Sequence, residues 1–325
     1  MPPLHVVYLV TSQGDDYYPQ MTQASVISLK HWNPAAKVTL ACDPETHRKL
    51  TGKLHPLLSM ADDVLAPETP EGSPLYQSRY LKTRLGTLID GPFLYLDGDT
   101  LIRRNLSDLH HFTSDCDIAA SVNHSQPEPL LQHFAGQDAV MDALGWKSPD
   151  GHYYNGGVVY FAGTPASRAF AEQWHQRWRI SSATGKFFDQ PAFNATLTDG
   201  SAAFKALPIS YNAQIKCNPS RAPRAAIWHY YASCSATELL HAPCAIENFL
   251  GKQHPSQPLD ARQVIRMARK NHPWRHDHLL DYWVLHLLAR TKSTLPEPAR
   301  LWLDRQRGKA IQLQLRNSFP PFRSL

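Results

Sequence analysis

FLYLDGDTLI, residues 93–102, places four consecutive apolar or aromatic residues before two aspartates that are separated by one glycine. The apolar run is typical of a strand buried on both faces, as in a parallel sheet. Such a strand delivers Asp97 and Asp99 at its carboxyl end, where open α/β sheets bind ligands. Two carboxylates suit a divalent cation that also contacts phosphates, and Gly98 permits a close backbone approach. Asp-x-Asp alone is a weak motif, so a solvated turn after a core strand is the alternative.

Strands and helices alternate on the amino-terminal side of this segment. Residues 6–10 form a continuous apolar run that predicts a buried strand, and residues 11–16 continue it as a polar loop. A helix over about residues 19–31 and a strand over residues 37–41 complete a β-α-β opening. Residues 75–89 carry leucines at helical spacing, and Gly-Pro soon afterwards provides a stop. This alternation predicts an α/β fold in which helices flank a mostly parallel sheet.

The carboxyl-terminal side continues the pattern. Residues 153–161, YYNGGVVYF, are strand-like and contain a glycine pair. Thr164, followed by proline, predicts the capped start of a helix in which aromatic residues recur every four positions. Asp189 predicts the cap of a further short helix, and residues 225–228 predict a last short strand that ends at His229.

Charge is distributed unevenly along the chain. The 325 residues carry 33 Lys and Arg against 28 Asp and Glu, a net charge of +5. Residues 251–325 hold 14 of the basic and 5 of the acidic residues, a net +9, which leaves 19 against 23, a net −4, for residues 1–250. A weakly acidic body excludes a uniformly basic nucleic-acid-binding protein and indicates one local basic element.

Composition and cysteine content narrow the class of protein further. Apolar residues make up 42% of the chain, which is typical of a globular protein and excludes a disordered or collagen-like one. The 5 cysteines include no Cys-x-x-Cys pair, so neither a disulfide framework nor a zinc ribbon is indicated. The first residues lack the features of a signal peptide, and no apolar run is long enough to span a bilayer. We therefore expect a cytoplasmic protein.

Several segments, taken in order, resemble motifs of the retaining GT-A glycosyltransferases. They resemble in particular glycosyltransferase family 8, the glycogenin and bacterial lipopolysaccharide galactosyltransferase group, and related nucleotide-diphospho-sugar transferases. The segments are FLYLDGDTLI with NLSDL at 105–109, Asn155-Gly156-Gly157, Phe188-Asp189-Gln190 with Asn194, and Ile227-Trp228-His229-Tyr230. The set is specific although no single member is, and it covers roughly residues 4–235. The resemblance implies a GT-A fold, Rossmann-like, over residues 1–245, followed by a basic helical region over residues 246–325.

The resemblance implies a metal site. Asp97 and Asp99 would be carboxylate ligands of Mn²⁺ or Mg²⁺, with His229 completing the protein side of the coordination. An imidazole ligand favours Mn²⁺, since Mg²⁺ prefers oxygen ligands throughout. Taken alone, a histidine in an aromatic segment is more typical of an ordinary, partly buried side chain.

It also implies a binding site for a nucleotide-sugar donor. Thr11 and Tyr18 would hold the base and ribose, and Tyr17 or Asp16 is an alternative because the first loop is about two residues longer than is usual in the family. Lys82 is the closer match to a basic residue that contacts the donor diphosphate or sugar, with Arg79 second. The two share one face of a helix, where a solvated basic surface is the alternative.

The sugar itself would lie near two further segments. Asn155 and Gly156 would border the sugar, and Asp189 and Gln190 would lie under its anomeric carbon. Retaining chemistry proceeds through a short-lived ion pair or a covalent intermediate, and both need a carboxylate or carbonyl oxygen at that face. The alternative role for Asp189 is that of a plain helix cap.

One departure from the family pattern concerns the diphosphate. Family 8 members have a lysine shortly after the metal-binding histidine, whereas His229 is followed by YYASCSATE, which contains none. Other basic groups must then take its place, and Lys216, Arg221 and Arg224 lie just before the last strand.

Together these observations predict a metal-dependent, retaining transfer of a hexose from a nucleotide sugar, with UDP as the expected nucleotide, to a hydroxyl acceptor. The acceptor would be a glycan, a glycolipid or a protein. One alternative is a catalytically silent nucleotide-sugar or glycan-binding protein. Another is a sugar nucleotidyltransferase, but this would need a glycine-rich, basic loop after the first strand, and residues 11–16 do not provide one.

The basic carboxyl-terminal region admits two interpretations. Residues 300–325 interleave basic and aromatic side chains, a pattern that suits peripheral contact with an anionic membrane. Helices that pack on the domain with their cationic faces in solvent are the alternative, and are favoured for residues 250–300. Nucleic-acid binding is the least favoured, because no recognisable nucleic-acid module accompanies the charge.

Overall fold

The computed structural model describes residues 3–13, 16–123, 137–215, 219–230 and 259–271. Strands in these ranges are His5–Val10 (β1), Lys37–Cys42 (β2), Asp63–Leu65 (β3), Phe93–Leu96 (β4), Thr100–Ile102 (β5), Ile118–Val122 (β6), Tyr154–Phe161 (β7), Phe204–Ala206 (β8), Ala213–Gln214 (β9) and Ile227–His229 (β10). Helices are Tyr18–Trp32 (α1), Pro44–Gly52 (α2), Pro56–Met60 (α3), Pro74–Leu88 (α4), His110–Thr113 (α5), Gln137–Ala143 (α6), Pro165–Ser182 (α7), Gln190–Thr198 (α8) and Ala261–Ala268 (α9).

A seven-stranded sheet runs in the order β3-β2-β1-β4-β7-β6-β8. β1 pairs in parallel with both β2 and β4, and β6 pairs in parallel with β8. β7 is antiparallel to both of its neighbours, so it alone runs against the other strands described in this sheet. The predicted Rossmann-like α/β fold with a mostly parallel sheet is confirmed.

Alternate residues of β1 point to opposite faces of the sheet, and both faces are covered. Val6, Tyr8 and Val10 join a cluster that includes Val26 and Leu29 of α1. Val7 and Leu9 belong to a second cluster, to which α4, α7 and α8 contribute and which includes Phe170, Trp174, Trp178 and Phe193. Burial on both faces explains why the first strand is an unbroken apolar run.

Side-chain caps mark the starts of helices α4 and α7. Oγ of Ser73 accepts a hydrogen bond from the backbone N–H of Tyr76, and Oγ1 of Thr164 accepts one from Ser167, as predicted for that cap. The predicted cap at Asp189 is wrong in one respect. Asp189 does precede α8, but its side chain makes no capping hydrogen bond because its carboxylate pairs with two cations of α4.

A second sheet of three strands, β5-β10-β9, lies beyond the Asp-Gly-Asp segment. The predicted last strand is found at β10, but it pairs antiparallel with β5 instead of joining the main sheet. Its register places His229 directly opposite Thr100. Because Thr100 immediately follows Asp99, this pairing brings the histidine to the two aspartates.

Only α9 of the predicted basic region is described, and it packs against α1. Val264 and Met267 of this helix are buried beside Met21 and Trp228. The guanidinium of Arg103 lies 4.0 Å from the Trp228 ring centroid. It donates to backbone carbonyls at α9, including that of Ala268 at 3.2 Å, and to backbone carbonyls of the segment that precedes β10. The tail over residues 300–325 lies outside the described residues. None of the described helices has the length and apolarity needed to cross a bilayer.

Candidate active site

Asp97, Asp99 and His229 form a cluster at the carboxyl end of β4. One ligand atom from each lies within 4.8 Å of the others. Nε2 of the histidine is 3.3 Å from Oδ1 of Asp99 and 3.7 Å from Oδ2 of Asp97, and the histidine side chain is only 1% exposed. Two carboxylates and one imidazole nitrogen fit a divalent cation of the Mn²⁺ type.

The loop that carries the aspartates is held from three sides. The backbone N–H of Asp97 donates to the carbonyl of Gly157 on β7 at 2.8 Å, and the carbonyl of Asp99 accepts from Tyr230 at 2.9 Å. Oγ1 of Thr100 donates to the carbonyl of Asp97 at 2.9 Å, and it also bonds with Oγ of Ser25 on α1. The loop is therefore fixed by the main sheet, the second sheet and α1 together.

Two glycines make this close packing feasible. A Cβ atom on Gly157 would lie 2.3 Å from Cε1 of His229 and 2.5 Å from Oδ2 of Asp97. A Cβ atom on Gly98 would lie 2.2 Å from Oγ1 of Thr22 on α1. The glycine between the aspartates is thus required by the packing of α1 against the loop, in addition to any approach of a ligand.

Asn212, which no sequence motif singled out, orients the histidine. Its Oδ1 lies 2.8 Å from Nδ1 of His229, and the asparagine is fully buried just before β9. A hydrogen bond at Nδ1 leaves Nε2 turned toward the aspartates, the usual arrangement for a metal-binding histidine. Burial opposes protonation of His229, but Asp99 and Asp97 outweigh it and raise its pKa.

Lys82 lies behind the aspartates and is almost completely buried. Its Nζ is 3.2 Å from Oδ1 of Asp97 and 3.2 Å from Oδ2 of Asp189, and only 4% of its side chain is exposed. Burial raises the pKa of Asp97, but the charges of Lys82, His229 and Arg79 outweigh it and bring the pKa down to about 2. The hydroxyl of Tyr95 also donates to Asp97.

Asp189 connects this lysine to a more accessible cation. Nε of Arg79 lies 2.9 Å from Oδ1 of Asp189, and the arginine side chain is 30% exposed while that of Asp189 is 9% exposed. The backbone carbonyl of Asp189 accepts a hydrogen bond from Nε1 of Trp174 at 3.0 Å. Asp189 is therefore held at the start of α8 through both its carboxylate and its backbone carbonyl.

Asn155, Gly156 and Gln190 meet at the edge of the same site. Oε1 of Gln190 lies 3.2 Å from the backbone nitrogen of Gly156 and 3.2 Å from Nδ2 of Asn155. A Cβ atom on Gly156 would lie 3.4 Å from Oδ2 of Asp189 and 3.7 Å from Nζ of Lys82. The residues predicted to surround the sugar are thus adjacent to those predicted to hold the diphosphate.

The first loop contributes Thr11 and Tyr18 from the neighbouring part of the sheet edge. Oγ1 of Thr11 donates to the carbonyl of Pro74 at 3.2 Å, which ties the end of β1 to the start of α4. Tyr18 begins α1 and is 47% exposed. Asp16, an alternative for nucleotide binding, instead accepts from Ser12 and from backbone N–H groups within the loop.

The basic residues proposed to replace the family lysine differ in position. Arg221 and Arg224 are exposed on a short 3₁₀ segment, Pro219–Arg224, that leads into β10. Lys216 lies outside the described residues.

The fold and the acidic cluster define an α/β protein with a candidate divalent-metal site at the carboxyl end of its central strands. The sequence model of the nucleotide-diphospho-sugar transferase family matches residues 37–221, more than half of the chain. The chain belongs to this family and is a glycosyltransferase, as the motifs predicted. No curated protein is similar enough in sequence to be matched.

Several solved structures are similar to this chain. The galactosyltransferase LgtC in complex with donor and acceptor sugar analogues is 16% identical over 82% of this chain and 95% of its own, with a TM-score of 0.49. GlyE of Streptococcus pneumoniae is 16% identical over 84% of this chain and 65% of its own, with a TM-score of 0.49. Mouse xyloside xylosyltransferase 1 is 14% identical over 72% of this chain and 99% of its own, with a TM-score of 0.45.

Proposed function

We propose that this protein transfers a hexose from UDP-hexose to a hydroxyl group of a glycan, glycolipid or protein acceptor, with a divalent metal and with retention of anomeric configuration. The observation that carries the proposal is the contact chain from Asp99 and His229 through Asp97 and Lys82 to Asp189. It joins a candidate metal site to a carboxylate at one edge of the sheet, which is what transfer from a nucleoside diphosphate requires.

Asp97, Asp99 and His229 would hold the cation, with Mn²⁺ favoured because one ligand is an imidazole. Once bound, the cation would supply positive charge for the departing nucleoside diphosphate. Asn212 would serve this site by bonding Nδ1 of His229 and so keeping Nε2 aimed at the aspartates.

Arg79 and Lys82 have different roles in this proposal. Lys82 is too deeply buried to reach far into solvent, so it holds Asp97 and Asp189 in place. Arg79 is partly exposed, and its guanidinium has N–H donors in addition to the one that faces Asp189. We therefore assign the diphosphate or sugar contact to Arg79, with Lys82 supporting it.

Asp189 is the group that would stabilise positive charge at the anomeric carbon. It lies next to Gly156, where the absence of a side chain leaves space beside the carboxylate. A carboxylate on this face suits both the ion-pair and the covalent route of retention.

Calorimetry of UDP binding tests the site. We expect UDP to bind in the presence of Mn²⁺ and to lose at least about tenfold in affinity without it, since the cation would offset the negative charge of the phosphates. Asp99→Asn should abolish this metal dependence. Asp90→Asn is the matched control, because Asp90 is 96% exposed and pairs only with Arg168 among the described residues. Metal-independent binding, or normal metal-dependent binding by Asp99→Asn, would contradict the assignment.

Product analysis tests the reaction itself. Wild-type protein incubated with a panel of UDP-hexoses and Mn²⁺ should release UDP slowly by hydrolysis, and NMR of a transfer product should show the donor's anomeric configuration. A silent binding protein would bind UDP but release none from the donor. A nucleotidyltransferase would instead form UDP-sugar and pyrophosphate from UTP and a sugar phosphate.

A further inference from the structure

Arg103 directly follows β5, and its guanidinium lies where three segments of the chain meet. Nε donates to the carbonyl of Ala268 at 3.2 Å, and Nη2 donates to that of Lys270, both at the end of α9. Nη1 donates to the carbonyls of Ala222 at 2.5 Å and Ala225 at 3.3 Å, in the segment that precedes β10. The last carbonyls of a helix have no partner within the helix, so a cation at this place stabilises the packed position of α9.

The same guanidinium covers the indole ring of Trp228. Its central carbon lies 4.0 Å from the ring centroid, and the tryptophan is fully buried. Nε1 of Trp228 donates to the carbonyl of Ala222 at 2.8 Å, and this is the oxygen that also accepts from Arg103. Met267 of α9 belongs to the same buried cluster as the ring. One cation therefore connects Trp228 to α9 and to the segment that leads into its own strand.

The charge of Arg103 is not used in an ion pair. The side chain is half-buried, and within the described ranges no carboxylate pairs with it. Burial lowers its pKa from 12.5 to about 10, so the guanidinium remains charged at neutral pH. A partly desolvated cation is costly unless it is well bonded, and here five backbone carbonyls and one aromatic face surround it. Removing this side chain should therefore loosen the junction itself.

Trp228 immediately precedes His229 on β10, and consecutive side chains of a strand point to opposite faces. The pairing of β10 with β5 places His229 opposite Thr100. Because β10 has only three residues, few ladder hydrogen bonds determine its position, and side-chain contacts on both faces must contribute. Asn212 bonds the histidine on one face, and Arg103 holds the tryptophan on the other.

We propose that Arg103 is a positioning residue for His229: it fixes Trp228, and through this contact the packed α9 raises the affinity of the site for a divalent cation. This inference rests on the proposed metal site. Metal binding and the packing of α9 are then linked, and each must favour the other by the same factor. One helix of the basic carboxyl-terminal region is thereby connected to the metal ligands, although it contributes none of the three.

Amide hydrogen exchange of the metal-free protein tests the positioning without any ligand. The backbone N–H of Tyr230 donates to the carbonyl of Asp99 at 2.9 Å, at the end of the pairing between β10 and β5. We expect this N–H to exchange at least about tenfold faster in Arg103→Met than in wild type. Arg104→Met is the matched control, since Arg104 is exposed and donates to the carbonyl of Arg224 in the same segment. An unchanged rate in Arg103→Met would overturn the inference.

Calorimetry with Mn²⁺ tests the link to the metal site. We expect Arg103→Met to lose about 5–10-fold in Mn²⁺ affinity, at or below the loss caused by removing a direct partner of a metal ligand, and Arg104→Met to stay within about twofold of wild type. Arg103→Lys keeps the charge, but a single ammonium cannot contact α9, Ala222 and the ring as a planar guanidinium does, so it should still lose at least about threefold. Wild-type affinity in both Arg103 variants would overturn the inference.

Ile118→Ala separates positioning from a general loss of stability. Ile118 is fully buried and pairs with Phe161, which in turn pairs with the first residue of β4, whereas Asp97 follows the last. The variant should unfold at a lower urea concentration and keep its Mn²⁺ affinity within about twofold of wild type. A loss of Mn²⁺ affinity equal to that in Arg103→Met would show that any destabilisation weakens the site, and would overturn the role given to Arg103.

Met267→Ala tests whether α9 acts through Arg103. Met267 is buried on α9 and belongs to the cluster that contains Trp228. We expect this change to lower Mn²⁺ affinity about threefold in wild type but less than about 1.5-fold in Arg103→Met, because residues that act through one contact are not additive. Equal factors in the two backgrounds would overturn the coupling. Failure of the wild-type protein to bind Mn²⁺ would count against the proposed metal site separately, while the exchange rate of Tyr230 would still report the position of β10.

Discussion

Lys82 places its ammonium nitrogen 3.2 Å from Oδ1 of Asp97, in a position where 4% of the lysine and 26% of the aspartate side chain are exposed. The same nitrogen is also 3.2 Å from Asp189. A cation shared by two carboxylates in a nearly buried position offsets the repulsion between them and holds them close together. The lysine is therefore part of the structural support of the site.

Replacing Lys82 with methionine should destabilise the fold at neutral pH. Two carboxylates would lose their common partner, and because Asp97 is partly exposed we expect a cost at the lower end of the range for buried pairs, about 3 kcal/mol. In the wild-type protein the pKa of Asp97 is lowered to about 2. Without the lysine this pKa would rise, so the folded variant would bind a proton at Asp97 at a higher pH than the folded wild-type protein does. The deficit should thus shrink as the pH falls from about 7 to about 4.5, as measured by urea unfolding.

Lys37→Met provides the matched control for this prediction. Lys37 pairs with Asp63 at 2.6 Å, but both side chains are about half exposed. An exposed pair contributes less than about 1 kcal/mol. Equal losses in the two variants, or a Lys82→Met deficit that grows at low pH, would contradict the role given to Lys82.

Gly157→Ala should separate the metal ligands. The new methyl group would lie 2.3 Å from Cε1 of His229 and 2.5 Å from Oδ2 of Asp97, so these side chains must move apart. We expect Mn²⁺ affinity to fall by more than about tenfold in calorimetry, as when the support of a metal ligand is removed. Gly52→Ala is the control because no atom lies within 4 Å of its added Cβ. Unchanged metal affinity in Gly157→Ala would show that the three ligands do not act together.

The strands and the site at their carboxyl ends were predictable because the sequence features that indicate them are local. Unbroken apolar runs at β1 and β4 reflect burial on both faces, and a proline-led cap marks α7. Asp97 and Asp99 follow a strand directly, so their place at the carboxyl end follows from the sequence alone. The strand of His229 was predicted too, but not its antiparallel pairing with β5, because nothing local encodes which sheet a three-residue strand joins.

The residues that orient the site were not predictable in the same way. Asn212 lies in a short polar and apolar segment with no motif, and its role depends on a contact across 17 residues with His229. The capping prediction for Asp189 failed because two cations from α4, more than 100 residues earlier in the chain, attract its carboxylate more strongly than the helix N-terminus does. Both outcomes depend on long-range charge and burial.

Asn212→Ala should weaken metal binding without removing any ligand. Loss of the hydrogen bond at Nδ1 frees the imidazole of His229 to rotate or to change tautomer, and comparable losses reduce metal affinity by about 10–100-fold. Calorimetry with Mn²⁺ measures the change, and Asn105→Ala on the loop after β5 controls for the loss of an asparagine elsewhere. An Asn212→Ala variant with wild-type Mn²⁺ affinity would show that His229 needs no such support.

His175 on α7 gives the fold a separate sensitivity to acid. Its Nδ1 lies 2.8 Å from Oγ1 of Thr83, and its ring packs edge-on against Tyr80. Burial, with added repulsion from Arg84 and Arg179, lowers its pKa from 6.5 to about 4. The unfolded chain therefore binds a proton before the folded one does. The stability that this histidine provides is complete above pH 6.5 and is lost as the pH falls toward 4.

His175→Gln should reduce this dependence. Over that window one proton changes the free energy of unfolding by up to about 1.4 kcal/mol per pH unit, and the variant should lose this part of the slope in urea unfolding at a series of pH values. Other partly buried histidines, such as His5 and His55, also have a lowered pKa, so some slope should remain. His111→Gln, at an exposed position on α5, should leave the wild-type slope unchanged. A histidine that stays neutral in the folded state must add to the pH dependence of the free energy of unfolding. If His175→Gln shows the same slope as wild type, the acid sensitivity therefore arises from other groups.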